Sequence, residues 1–157
     1  MAKGSSRGHD QLAEELVGEL FELSIALDLV GNAAATRIGI NQTDLICLNL
    51  LVRHGPMSPG QIAAALGLTT AAISAMATRL EAGGYARREM DPKDRRRVLM
   101  HASPTGAEQA FSLFDDVFQA AMDLFASVNR QDLRTLSGLL AEFRKILTEH
   151  AAAIRSP

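Results

Sequence analysis

From Gln11 the apolar residues Leu12, Leu16, Leu20, Leu23, Leu27 and Val30 recur at spacings of 4, 4, 3, 4 and 3. This lays one stripe along a long helix that should end near Gly31 and Asn32. The preceding residues 1–9 are small and polar and predict a flexible tail outside the fold. Asn41 can cap a second helix, with Asp44 favouring its N-terminus, and the run 45–52 is apolar enough to be buried on most sides. Gly55 and Pro56 stop it. Ser58, Pro59 and Gln61 then supply an N-cap hydroxyl, a proline at the first helical position and a capping-box glutamine. They start a short helix that Gly67 closes near Leu66.

Thr69 or Thr70 caps the next helix, which runs to Glu81 before Gly83-Gly84. Ile73, Met76, Ala77 and Leu80 share one face, whereas Thr70, Ala71, Ser74, Ala75, Thr78 and, at the edge, Arg79 share the other. Segments 85–90 and 96–102 alternate imperfectly around Asp91-Pro92-Lys93-Asp94-Arg95, which predicts a two-stranded hairpin with a basic tip. Ser103-Pro104 opens a further helix whose wide apolar face includes Phe111, Phe114, Phe118 and Phe125. Asn129 caps a last helix in which Leu133, Leu136, Leu140, Phe143, Leu147 and His150 recur at 3, 4, 3, 4 and 3.

With 157 residues and 47% apolar content, the chain can build one packed core with a second element around it. No stretch is long and apolar enough to span a bilayer, and the first ten residues lack a signal-peptide centre, so a cytoplasmic protein is expected. Cys47 is the only cysteine, and the four histidines share no helix face, so neither a metal site nor a cofactor is expected. Burial of Cys47 in its apolar helix should raise its pKa and blunt its reactivity. The net charge of −2 conceals segregation: residues 10–30 carry six acids and no base, whereas residues 87–97 carry six bases against three acids.

Two capped helices joined by a glycine turn and followed by an arginine-tipped hairpin make a winged helix-turn-helix in a mainly α chain. A helix can approach base edges in the major groove, roughly 12 Å wide, if its outer side chains are small, as Thr70, Ala71, Ser74, Ala75 and Thr78 are. Guanidinium groups suit the adjacent minor groove, where negative potential is focused. The expected DNA-contacting set is these five residues with Arg79, Asp94, Arg95, Arg96 and Arg97. Catalysis is not expected: Ser58, Ser74 and Ser103 have cap or surface roles, and there is no phosphate-cradling glycine loop. A winged protein-interaction module without DNA binding is the alternative, and six bases within eleven residues speak against it.

The stretch Asp91-Pro92-Lys93-Asp94-Arg95-Arg96-Arg97-Val98-Leu99, with Ser103-Pro104-Thr105-Gly106 after it, resembles the wing and following helix start of the MarR (multiple antibiotic resistance regulator) family. Residues 68–89, LTTAAISAMATRLEAGGYARRE, resemble that family's recognition helix and first wing strand. The likeness covers roughly residues 12–150. It implies a homodimer in which the first, fifth and sixth helices interlock, with a winged module over 41–102 and a helical dimerisation region over 10–36 and 103–154. It also implies a recognition helix in the major groove and Arg96 in the minor groove, supported by Arg95 and Arg97. Asp94 would orient Arg96 by a charge-assisted hydrogen bond. Leu16, Leu20, Leu23, Leu133, Leu136, Leu140, Phe143 and Leu147 are the expected interface, since stripes of this size exceed what one winged core can cover. The resemblance further implies a repressor released by a small aromatic or phenolic effector. Leu27, His54, Phe111, Phe114 and Phe118 are the candidate pocket.

Overall fold

The computed structural model describes residues 3–155. The elements run α1 (Lys3–Arg37), α2 (Gln42–His54), α3 (Pro59–Leu66), α4 (Thr70–Ala82), β1 (Ala86–Met90), β2 (Val98–Ala102), α5 (Pro104–Phe111), a 3-10 turn (Ser112–Phe114), α6 (Asp115–Ala126) and α7 (Arg130–Arg155). No single helix among the described residues is long and apolar enough to cross a membrane.

The local signals act as their chemistry demands. Asn41 accepts from the Asp44 amide at 2.9 Å, and Ser58 and Gln61 form a reciprocal capping box. Gly67 closes α3 in the left-handed region at φ 66°, where a side chain would be strained. Thr69 caps α4 through the Ala72 amide. The strands pair antiparallel, with Ala86 opposite Ala102 and Met90 opposite Val98. Met57 adds a bridge to Met100 from the loop before α3, so the hairpin is sewn to the helical layer at the middle of β2.

One core holds the winged module together. Leu45, Leu48 and Leu51 of α2, Ile62 of α3, and Ile73, Met76, Ala77 and Leu80 of α4 are buried with Tyr85, Met100 and Ala110. The Tyr85 hydroxyl donates to the Ile38 carbonyl at 3.0 Å, which ties the end of α1 to the root of the wing. Cys47 is fully buried in the same core. Burial, with the nearby Asp44 charge adding, pushes its thiol up to about 11, so the group is protonated at neutral pH.

Three expectations are corrected. Helix α1 covers residues 3–9, where a flexible tail was expected, and residues 1–2 lie outside the described residues. Adding turns to a formed helix costs far less than nucleating one, so polar residues without proline can extend it. Helix α1 also passes through Gly31 and Asn32 to Arg37, and the Gln42 side chain beside it donates to Asp28 at 2.9 Å. The predicted helix after Ser103 is broken at Ser112–Phe114, where Asp115 and Asp116 supply a new acidic first turn. A 3-10 turn eclipses residues three apart, and the Phe111 and Phe114 rings meet at a tilt of 43° with centroids 6.4 Å apart.

Gly106 sits in the first turn of α5, where an added Cβ would lie 2.6 Å from Tyr85 Cα and 2.7 Å from the Gly84 carbonyl. Both obstacles are backbone and cannot swing aside. Gly106→Ala should therefore cost on the order of 1–3 kcal/mol, seen as a lower midpoint in urea unfolding. Gly60→Ala, with open space at its Cβ, is the matched control.

Candidate nucleic-acid interface

Helix α4 presents Thr70, Ala71, Ser74, Ala75, Thr78 and Arg79 to solvent, while its other face is anchored in the core. The Ser74 hydroxyl donates to the Thr70 carbonyl and the Thr78 hydroxyl to the Ser74 carbonyl, both at 3.0 Å. Their hydrogens therefore point along the helix, leaving oxygen lone pairs outward as acceptors.

The wing tip is organised by its aspartates. Asp91 Oδ1 accepts from the Lys93 amide at 2.8 Å and Asp94 Oδ1 from the Arg96 amide at 3.0 Å. The Arg97 amide donates to the Asp94 carbonyl, and the Asp91 amide to the Arg97 carbonyl. The hydrogen bond that Asp94 makes to Arg96 is thus to its backbone amide. With both carboxylates turned to amides, Lys93, Arg95, Arg96 and Arg97 are exposed and carry no ion pair among the described residues. The other two bases of the cluster are neutralised. Arg87 pairs with Glu89, and that hydrogen bond holds the Glu89 carboxyl below its usual range, aided by the charges of Arg87 and His101. Arg88 pairs with Glu81.

Residues 38–97 match the sequence profile of the MarR family. Over 152 residues, 96% of this chain and 99% of the relative, the sequence is 30% identical to the uncharacterized HTH-type transcriptional regulator YcgE of Bacillus subtilis. The chain belongs to the MarR family. Solved structures share the fold. A mutant of MepR from multidrug-resistant S. aureus superposes with a TM-score of 0.71 at 18% identity, over 83% of this chain and 96% of that one. Wild-type apo MarR from E. coli superposes with a TM-score of 0.57 at 23% identity, over 80% of this chain and 94% of that one. As a MarR family member the protein is a DNA-binding transcriptional regulator.

Within this MarR family fold, the Arg79–Asp44 pair and Arg88 bear on the site. Arg79 is not a free cation: its Nε and Nη2 grip Asp44 at 2.8 and 2.7 Å, and Asp44 is fully buried. The hydrogen bond to Asp44 lifts the Arg79 guanidinium further above its already high pKa. Arg88 was absent from the predicted site. It reaches from β1 across α4, donating to the Ser74 carbonyl at 3.1 Å and to Thr78 Oγ1 at 3.4 Å. Its partners lie 7 to 14 residues away, so only the excess of bases in the segment hinted at it.

A cleft of about 650 Å³ brings together four of the five predicted pocket residues, Leu27, Phe111, Phe114 and Phe118, with Arg53 at its edge. His54 lies exposed outside that lining. Of the predicted interface residues, Leu16, Leu23, Leu136, Leu140 and Leu147 are exposed in the single chain, and Leu20, Leu133 and Phe143 are half-buried. Helix α1 carries a second exposed stripe, Val17, Phe21, Ile25 and Leu29, at spacings of 4. The first stripe hid it, because each pattern alone is sufficient evidence for a helix.

Asp44→Ala should destabilise the fold by about 1.5–3 kcal/mol through loss of its charge-assisted hydrogen bonds. Arg79 is half-exposed and can turn to water, which limits the cost. Asp44→Asn, keeping one acceptor, should lose less. Equal urea midpoints for wild type and Asp44→Ala would contradict the assignment.

Proposed function

We propose that the protein is a repressor that binds a pseudo-palindromic operator as a homodimer, with α4 in the major groove and the wing tip in the flanking minor groove. The carrying observation is the pairing of surfaces: a core-anchored helix with a small, exposed outer face beside a hairpin whose aspartates leave four cations unpaired. Thr70, Ala71, Ser74, Ala75 and Thr78 approach base edges, and Arg96, with Arg95 and Arg97, enters the minor groove. Arg79 acts by seating α4 on α2. The apolar stripes of α1 and α7, with no residue of α6 or α7 buried in the single chain, supply the surface a second copy covers.

A symmetric dimer presents its two recognition helices roughly 34–36 Å apart, one helical turn of DNA. A protein seated across two successive grooves excludes others from the same DNA, which is repression by occupancy, and places its work in the cytoplasm with its operator. The aromatic cleft between α1, α2 and the Phe111–Phe114 turn suits a small aromatic or phenolic effector, with Arg53 as polar partner. Such a ligand releases DNA if it favours a spacing of recognition helices that misses successive grooves.

Selection of bound duplexes from a random pool should enrich an inverted repeat. On that site, Arg96→Ala should weaken binding to cognate and random duplexes alike, whereas Thr70 and Ser74 substitutions should alter base preference by about 1–3 kcal/mol at individual positions. No enrichment, together with no loss for Arg96→Ala, would favour the protein-interaction module.

A further inference from the structure

The reading head has a charge problem. Residues 55–78, which include all of α3 and most of α4, contain no charged side chain, and Arg79 is neutralised by Asp44. The wing supplies cations on one flank of the recognition helix only. The wing strand meets α4 at Ser74, Thr78 and Glu81, whereas at the N-terminal end of α4 lies the α3–α4 turn, where Gly67, Leu68, Thr69 and Thr70 are exposed. DNA affinity rests largely on neutralised phosphates, so a major-groove helix held by charge on a single side would be poorly anchored.

The last turn of α7 fills this gap. Helix α7 has 26 residues, about 39 Å at 1.5 Å per residue, which is enough to return from the far end of the helical frame to the winged module. Its Arg155 lies against the α3–α4 turn: a Cβ built on Gly67 would meet Arg155 Nη1 at 1.7 Å and Cζ at 2.8 Å. Arg155 is exposed and makes no hydrogen bond or ion pair among the described residues. Its guanidinium stands at Gly67, the C-cap of α3, in the turn that leads into α4.

We propose that Arg155 is a DNA-backbone contact, delivered by α7 to the α3–α4 turn, where it binds a phosphate beside the entry to the recognition helix. The proposal rests on the groove-bound α4 described above. It gives the helical frame a direct hand on the DNA, so that a shift of α7 relative to the winged module changes affinity without moving α4.

The test uses the full chain and fluorescence anisotropy with a labelled duplex selected by the wild-type protein, titrated over a series of NaCl concentrations. Arg155→Gln should weaken binding on the order of tenfold at low salt and flatten the plot of log affinity against log salt by about 0.9 per subunit. Arg155→Lys should restore the slope, and the thermal midpoint should not move, because the side chain is exposed in a terminal turn. An unchanged slope for Arg155→Gln overturns the proposal, as does an equal loss for Gln and Lys. Arg96→Ala run in parallel separates the two readings. Loss there without loss for Arg155→Gln rejects only this contact, whereas loss in neither rejects the placement of α4 and the wing.

Discussion

Helix α4 is fixed from beneath by Ile73, Met76, Ala77 and Leu80, all buried, and from its sides by Asp44 and by the Arg88–Glu81 pair. Everything proposed for the molecule depends on that seating. A helix that reads base edges must present one face while resisting rotation about its own axis, and a quarter turn would replace Ser74 and Thr78 with core side chains. The apolar face sets the rotation. Bidentate capture of Arg79 by a fully buried carboxylate adds a directional restraint, since a guanidinium fork accepts few orientations. Arg88 does the same between α4 and the wing, bonding the Ser74 carbonyl from a strand. Helix and hairpin are therefore tied together by side-chain bonds as well as by the core.

The chain resolves its charge by position, not by composition. A net charge of −2 repels polyanions at long range, yet the tip of the wing is a local source of positive potential. Asp91 and Asp94 contribute to this, because each carboxylate accepts a backbone amide of the turn and pairs with none of the arginines beside it. The same two residues that lower the formal charge of the wing give it its shape.

Much of this was legible in the chain because caps and breakers are local. Ser58, Pro59, Gln61, Gly67 and Thr69 act within a single turn of where they stand, and each forms the contact its chemistry predicts. The outward face of α4 followed from periodicity alone. What could not be read were the contacts spanning the fold. Asp44 and Arg79 are 35 residues apart and each has a plausible solvent-exposed reading by itself. The break at Ser112–Phe114 contains neither glycine nor proline, and it is accompanied by the tilted Phe111–Phe114 contact and the acidic start of α6. The second stripe of α1 was masked by the first, although a helix apolar on two sides is a stronger sign of burial by other helices than either stripe alone.

In the proposed function the helical frame spaces two reading heads, while the winged module holds helix and hairpin together. Affinity cleavage addresses that arrangement most directly. Cys47 is buried and protonated, so an iron chelate attached to Ala75→Cys or to Arg95→Cys labels the new thiol selectively. The account predicts cuts centred on a major groove from position 75 and, about half a helical turn further out, cuts centred on the flanking minor groove from position 95. Coincident or diffuse cuts from the two positions would contradict it.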